Sequence, residues 1–333
     1  MMKFEQKDFK NRKIKEYLIE KDKLGETEHP ELEEFLYSLV TLFCYDDNGT
    51  PLIELVQNDW GLFASYEACG NVIDEIIFSD AVKFAKDGVK DAGTKVMYKK
   101  SITDCVEVWE TLKEDIKKYH RFTTDLNKLE NAGWKTLLDN RLQLSAGSSF
   151  YRARIHYRES DEFGVDDMGA PDREFCKSGR ANPEGIPFLY LSEETKTTFY
   201  ETRVIKHDVV TVGEFKIEGT APLYVEDLTD IDLDDLELMD EDVVTLAKRK
   251  LLIRVLSKDM SHPMRRFDST VEYVPTQFIC EYVQLTQSVS GIRFSSSVYP
   301  EGTNVVIFDP KLMKCVDVKD YNIGDLDINE TLL

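Results

Sequence analysis

The pattern of apolar residues changes once along this chain, near residue 147, and that change limits the possible folds more than any other feature. Before it, apolar residues recur three or four positions apart, as over 32–43, which is typical of amphipathic helices. After it, short apolar runs typical of strands dominate, from 150–157 to 304–309. The small residues at 145–149 (SAGSS) suit a junction between domains.

This change predicts an α+β protein of two domains: a mostly helical domain over 1–147 and a mixed α+β domain over 148–333. The length of 333 residues agrees with two domains, at about 150 residues each. Irregular mixing of strands and helices, without βαβ alternation, argues against a doubly wound sheet. Helical patterns are expected over 32–43, 72–84, 101–120, 126–142, 193–204, 241–258 and 273–288. Strands are expected over 150–157, 186–191, 208–217, 221–225 and 304–309.

The charge balance excludes one class of partner. The chain has 42 Lys and Arg against 63 Asp and Glu, a formal net charge of −21. Such a surface repels phosphate backbones and argues against a general nucleic-acid binder. Ten of the acidic residues lie in 226–242, which we interpret as a solvated loop leading into a helix. A docking site for a basic partner is the alternative interpretation.

No targeting, membrane or metal signal is found. The first 22 residues are charged throughout, and the most apolar stretch, 35–45, is too short to span a bilayer. We therefore expect a soluble, cytoplasmic protein without membrane contact. The cysteines lack metal-site spacing and are expected to be buried thiols: Cys44, Cys69, Cys105, Cys176, Cys280 and Cys315. The histidines form no metal-binding motif: His29, His120, His156, His207 and His262.

One short segment holds an arginine, a tyrosine and a glutamate that could converge on one cleft. Residues 182–185 (NPEG) have the order of a type I turn, with Arg180 at its edge and Tyr190 in the strand that follows. Glu201 lies in the next helix, for which Ser192 is the expected N-cap. Arginine offers a fork for phosphate oxygens, and a carboxylate can stabilise a developing cation. Spacing alone favours an ordinary surface Arg–Glu pair over a catalytic set.

The same segment resembles the RES-domain family, the toxin component of RES–Xre toxin–antitoxin pairs. Arg180, Tyr190 and Glu201 match the family's Arg, Tyr and Glu, at separations of ten and eleven residues. Four further segments match in the family's order: a first strand at 150–154 (FYRAR), a Thr-Gln helix at 273–281 (YVPTQFICE), the active-site Ser segment at 291–296 (GIRFSS) and a closing strand at 304–308 (NVVIF). The resemblance covers about 150–315.

Two positions depart from the family's pattern. Ala181 stands where members commonly have an aromatic residue, a change that would remove one wall of the pocket. Ser295 stands where a proline often precedes the active-site serine. That serine is therefore best identified as Ser296, with Ser295 and Ser297 as alternatives.

The resemblance implies a fold related to ADP-ribosyltransferases and NAD as the substrate. Family members degrade NAD, some by phosphorolysis, and others have been linked to protein ADP-ribosylation. Glu201 would stabilise the cation that forms on the ribose, and Arg180 with Arg152 would hold the pyrophosphate. Tyr190 would stack on the nicotinamide or ribose, and Ser296 would orient the ribose or the attacking group. The implied NAD-binding set is Arg152, Arg180, Asn182, Tyr190, Ser295 and Ser296, and the implied catalytic set is Arg180, Tyr190, Glu201 and Ser296.

The function implied is that of an NAD-consuming toxin or defence-type enzyme that depletes NAD and arrests growth. It needs no bound cofactor or metal, and inorganic phosphate is a second substrate if the reaction is phosphorolysis. An Xre-type antitoxin is the implied partner, and the sequence is compatible with a homo-oligomer. Protein ADP-ribosylation and a non-catalytic nucleotide-binding module are the alternatives.

The helical first half resembles the HEPN-type domain that precedes RES domains in some longer chains. Catalytic HEPN domains carry a ribonuclease motif in which an arginine precedes a histidine. Residues 1–145 do not contain that motif, since His120 precedes Arg121. We therefore expect this half to be regulatory or partner-binding.

Overall fold

The computed structural model describes residues 30–63, 65–158, 161–229, 242–263 and 269–324. They divide into two units, one of the described residues up to Val108 with 242–252, the other of 109–229 with 253–324. Most of the acidic stretch at 226–242 lies outside the described residues. Whether 1–147 and 148–333 act as separate domains stays a prediction. No helix in the described ranges combines the length and the apolar character needed to cross a membrane.

The first elements among the described residues are mainly helical. In chain order they are α1 (Pro30–Val40), β1 (Phe43–Pro51), α2 (Leu52–Trp60), α3 (Tyr66–Ser79), α4 (Ala81–Lys86), β2 (Lys95–Tyr98) and α5 (Lys100–Lys118). β1 and β2 pair antiparallel, with the rings of Phe43 and Tyr98 4.5 Å apart. The apolar stripe of α3, which includes Ile73 and Ile76, is buried as the helical pattern predicts.

Three of the predicted helices differ from the structure. The pattern over 72–84 is interrupted at Asp80, which lies between α3 and α4 and caps α4. The pattern over 32–43 stops being helical at Val40, because Phe43 is recruited into β1 by pairing with Tyr98. The pattern over 126–142 forms only two short helices, α6 (Asn127–Asn131) and α7 (Trp134–Leu137). Gly133 separates them with a φ of 76°, a left-handed conformation that ends a helix. Leu142 lies in a strand instead.

The second unit is built on an eight-stranded sheet. Its strands are β3 (Arg141–Leu144), β4 (Phe150–Ile155), β5 (Leu189–Ser192), β6 (Val209–Ile217), β7 (Leu223–Asp227), β8 (Gly291–Ser295), β9 (Thr303–Ile307) and β10 (Met313–Asn322). They lie in the order β10-β6-β4-β5-β9-β8-β7-β3. All neighbours pair antiparallel except β7 and β8, which are parallel. The remaining long elements are α8 (Thr195–Thr202), α9 (Val243–Met260) and α10 (Val274–Thr286).

The predicted α+β class is confirmed. The five expected strands and the three expected helices after residue 147 are all present within a few residues. β1, β2, β3, β8 and β10 were not predicted as strands. β10 escapes detection because it lies at the edge of the sheet, where charged residues such as Lys314 and Asp320 replace an apolar pattern.

The sheet is nearly split between β4 and β5, and that split positions the site. The two strands share one residue pair, Tyr151 with Ser192. Along β5, Leu189 and Leu191 face the main core, so Tyr190 and Ser192 project from the opposite face. Polar and aromatic groups of the central strands are thereby brought to one side of the split.

Candidate active site

A cavity of about 640 Å³ lies beside the split between β4 and β5. Its lining includes the charged or aromatic side chains of Tyr151, Arg152, Arg180, Tyr190, Glu201, Arg203, Tyr273 and Phe294. All of these residues belong to the second unit. We call this space the site cavity. Its volume lies within the range of about 300–1,000 Å³ that small-molecule sites occupy.

Arg180 reaches the site cavity from a loop over residues 176–185, here called the arginine loop. The amide of Gly185 donates to the carbonyl oxygen of Cys176 at 3.0 Å and closes the loop. The sharp turn lies one residue later than predicted, because Ile186 donates to Pro183 and Gly185 stands third in the turn. Gly185 has a φ of 81°, which is the conformation that a type II turn requires there.

The guanidinium of Arg180 is held by neutral groups. It donates to the carbonyl oxygen of His262 at 2.8 Å and to Oγ of Ser297 at 3.3 Å, and it lies 5.8 Å from the centre of the Tyr273 ring. Burial lowers the pKa of Arg180, an effect that Tyr273 and Glu201 oppose. Because its acceptors carry no charge, the cation is left to attract an anionic ligand.

Tyr190 supports the arginine loop through its hydroxyl. The hydroxyl donates to Oδ1 of Asn182 at 2.7 Å and accepts the amide proton of Ala181 at 2.9 Å. Burial raises the pKa of Tyr190, so the hydroxyl stays protonated at neutral pH and is not a general base there. The part of Tyr190 that remains for a ligand is its ring, which lines the cavity.

Two side chains of α10 hold the other side of the loop. Nε2 of Gln277 lies within hydrogen-bond distance of Oγ of Ser178 and of the carbonyl oxygens of Gly179 and Asn182, at 2.7–3.0 Å. The hydroxyl of Thr276 donates to the carbonyl oxygen of Arg180 at 2.6 Å. The Thr-Gln pair noted in the sequence therefore fixes the backbone beneath Arg180.

Glu201 projects from the last turn of α8 into the site cavity. Its Oε1 accepts the hydroxyl proton of Ser296 at 2.7 Å and an amide proton of Asn304 at 2.5 Å. Both of these bonds use the same oxygen, which leaves Oε2 as the one available to a ligand. The carboxylate is thus held in place while keeping an acceptor for a substrate hydroxyl.

The three candidate serines have different positions. Ser296 is buried and does not line the site cavity among the described residues, but it contacts Glu201. Its Oγ accepts the amide protons of Val298 and Tyr299, which directs its own proton towards Glu201. Of the three candidates, Ser297 lines the cavity. Ser295 ends β8, and its carbonyl oxygen accepts a hydrogen bond from Ser261.

Arg152 contributes a second cation to the cavity. Its Nη1 donates to the carbonyl oxygen of Gly169 at 2.9 Å, and Nη2 of Arg154 donates to the same oxygen at 3.3 Å. Burial and the charge of Arg154 lower the pKa of Arg152 to about 10. That value is still well above neutral pH, so Arg152 stays charged.

The structure brings four of the sequence-predicted site residues to the site cavity: Arg152, Arg180, Tyr190 and Glu201. Asn182 belongs to the arginine loop, and its side chain is buried, with Nδ2 donating to the carbonyl oxygen of Lys177 at 3.1 Å. Ala181 is fully buried. That the small side chain of Ala181 removes one wall of the pocket stays a prediction.

Sequence reasoning missed Asn304 and Tyr273. The polar Asn304 stands at the head of the apolar run 305–308, and that contrast is a signal that could have identified it. Tyr273 had no such signal, since its place follows from how the short 3-10 helix Thr270–Tyr273 packs. The prediction of Ser192 as a helix cap is wrong. Ser192 ends β5, and its hydroxyl donates to Asn304. The helix α8 begins at Thr195, with Glu194 at the N-cap position.

Comparison with known proteins gave a match to a family model over the second half of the chain. The family model described as RES domain matches residues 149–327, which is more than half of the chain. The comparison with curated proteins gave no match. RES domains are associated with NAD-related, toxin-type functions and with antitoxin partners. The matched residues include the site cavity, and the chain belongs to the RES-domain family.

Proposed function

We propose that this protein cleaves the nicotinamide–ribose bond of NAD, by phosphorolysis or hydrolysis, and acts by depleting NAD. One observation carries the proposal. The Glu201 carboxylate is anchored through one oxygen beside a cavity that is also lined by Arg152 and Arg180. A fixed anion in a cavity that is also lined by arginines suits a substrate that joins a ribose to a pyrophosphate.

The carboxylate suits the bond-breaking step. When the N-glycosidic bond breaks, nicotinamide leaves with the bonding electron pair, and positive charge develops on C1′ and the ring oxygen of the ribose. A preorganised carboxylate stabilises such an oxocarbenium ion, as in glycoside hydrolysis. Oε2 of Glu201 would face the ribose while Oε1 stays bound to the protein. Water or inorganic phosphate then attacks C1′ and releases a proton.

The arginines suit the rest of the substrate. NAD carries two negative charges on its pyrophosphate, whereas the chain has a net charge of −21. Binding therefore requires local cations, and guanidinium groups form paired hydrogen bonds with phosphate oxygens. The rings of Tyr151, Tyr190 and Tyr273 border the same cavity and would pack against the nicotinamide or adenine.

The reaction products test the proposal. Purified protein would be incubated with NAD in the presence and absence of phosphate, and the products identified by mass. ADP-ribose-1″-phosphate would indicate phosphorolysis, and free ADP-ribose would indicate hydrolysis. Modified protein would instead indicate ADP-ribosyl transfer, and bound but unchanged NAD would indicate a non-catalytic nucleotide-binding module. Either of the last two results would contradict the proposal.

Glu201→Gln tests the assigned site. The substitution keeps the size of the side chain and removes its charge, so we expect kcat to fall about a hundredfold or more. Glu194→Gln is the matched control, because Glu194 lies just before α8 and its side chain does not cap the helix. Equal NAD turnover by Glu201→Gln and the parent protein would show that the site is assigned wrongly.

A further inference from the structure

The residue that fixes Glu201 from the sheet is Asn304. Its side chain is 7% exposed, and its Nδ2 lies 2.5 Å from Oε1 of Glu201. Its Oδ1 accepts the hydroxyl proton of Ser192 at 2.7 Å, and Ser192 is 4% exposed. The three side chains form a continuous chain of hydrogen bonds, from Ser192 through Asn304 to Glu201.

The register of the sheet explains why the first two meet. Ser192 and Asn304 are directly paired across β5 and β9, so their side chains project from the same face. The pairs Leu191–Val305 and Leu189–Ile307 alternate with the site-facing pairs, and these residues pack into the main core. Burial of the apolar pairs therefore determines which face receives the polar pair.

The direction of the hydrogen bonds gives Asn304 a defined orientation. A side-chain amide has one oxygen that accepts and one nitrogen that donates. The Glu201 carboxylate can only accept, so the nitrogen points to it, and the oxygen is left to accept the hydroxyl proton of Ser192. A reversed amide would place two acceptor oxygens against each other. Because a hydroxyl can donate or accept, the Glu201 carboxylate sets the orientation of the amide, and the bond from Ser192 holds the amide in place.

The hydrogen bond from Asn304 restrains the Glu201 carboxylate in a way that the bond from Ser296 alone does not. Ser296 follows the last residue of β8, whereas Asn304 reaches Oε1 from the central strand β9. Two donors from different elements fix the position of the carboxylate more tightly than one, because a single bond leaves rotation about its axis. Oε2 is thereby kept turned towards the ligand.

We infer that Asn304 is a positioning residue for Glu201, and that Ser192 acts through it. The inference rests on the proposed cleavage of NAD. It implies that the loss of Asn304 lowers the rate of the chemical step more than it weakens NAD binding, because the arginines and aromatic rings that would hold NAD are unchanged.

A double-mutant cycle on NAD turnover tests the inference. The variants are Asn304→Ala, Ser192→Ala and the double variant, with Thr303→Ala as the control from the same strand. We expect kcat of Asn304→Ala to fall about tenfold to a hundredfold, since small displacements of a catalytic group have effects of that size, while KM changes by less than about threefold. Ser192→Ala is expected to have a smaller effect, and to add none in the Asn304→Ala background.

Each other outcome overturns the inference. An unchanged kcat for Asn304→Ala, an effect confined to KM, or single effects that multiply in the double variant would each contradict it. Thermal unfolding identifies variants that fail to fold. If Asn304→Ala is one of them, the kcat of the milder Ser192→Ala variant tests the inference. Asn304→Asp adds a further test, because it keeps the shape but replaces the donor, and its kcat must fall at least as far as that of Asn304→Ala. A parent protein that does not consume NAD overturns the proposed function and this inference together, whereas an active parent with unaffected variants overturns this inference alone.

Discussion

The hydroxyl of Tyr190 donates to Oδ1 of Asn182 at 2.7 Å and so joins a central strand of the sheet to the arginine loop. The same hydroxyl accepts the amide proton of Ala181, the residue next to Arg180. The position of Arg180 therefore depends on a tyrosine whose ring lines the cavity and whose hydroxyl does not act as a base. This relationship leads to the first prediction.

Tyr190→Phe should lower stability and weaken substrate binding together. The substitution leaves Oδ1 of Asn182 and the amide of Ala181 without their buried partner, which costs about 1–3 kcal/mol. We expect the free energy of unfolding in urea to fall by that amount and KM for NAD to rise. Tyr157→Phe, at an exposed position, is the control. An unchanged unfolding curve would mean that the hydroxyl does not hold the loop.

Gln277→Glu should release the arginine loop from α10. Glutamate has nearly the same shape as glutamine, but its carboxylate can only accept hydrogen bonds. In the native protein, Nε2 of Gln277 faces three oxygen atoms, which belong to the Ser178 hydroxyl and to the carbonyl groups of Gly179 and Asn182. A buried charge facing carbonyl oxygens should lower the free energy of unfolding by about 3 kcal/mol or more. Urea denaturation measures the loss, with the exposed Gln143→Glu as the control. A loss of stability no greater than that of the control would contradict the role of Gln277 in holding the arginine loop.

Gly179→Ala should disturb the contact between Tyr190 and Asn182. A Cβ at residue 179 would lie 2.6 Å from Oδ1 of Asn182 and 2.7 Å from the hydroxyl of Tyr190. Both atoms are fixed by hydrogen bonds, so we expect a cost of about 1–3 kcal/mol. Gly147→Ala is the matched control, because nothing lies within 4 Å of a Cβ there. Equal thermal midpoints for the two variants would disprove the steric argument.

Two buried thiols should resist alkylation in the native protein. Burial raises the pKa of Cys69 to about 12 and that of Cys105 to about 11. The thiolate is the reactive form, and a higher pKa lowers its fraction, so at pH 8 it falls to roughly one in a thousand or less. We expect iodoacetamide to modify the partly exposed Cys44 first, and all three cysteines in urea. Equal native labelling rates, measured by peptide mass mapping, would contradict this prediction.

The strands after residue 147 could be predicted because their apolar runs face a core. Phe150, Leu189, Phe215 and Val305 belong to one buried cluster. β10 could not be predicted in the same way, because an edge strand is stabilised by backbone hydrogen bonds to β6 rather than by burial of every second side chain. The 126–142 pattern failed for a local reason, the left-handed Gly133.

The site was predicted in part. Arg180, Tyr190 and Glu201 were identified from their resemblance to a family, and the structure places all three at one cavity. The sequence could not distinguish the neighbouring positions of Ser295, Ser296 and Ser297. Adjacent residues that leave a strand point in different directions, and only the path of the chain assigns each serine its contact.

What the sequence by itself determined is the α+β class, most of the strands and helices of the second half, and the family, because these follow from local patterns of apolar residues and from short motifs. The tertiary structure alone decided that Ser192, Asn304 and Glu201 meet. Residues 192 and 304 are joined by the register of β5 and β9, and that register is determined by burial of the apolar residues between them. The chemistry of the site therefore depends on packing at a distance of more than a hundred residues along the chain.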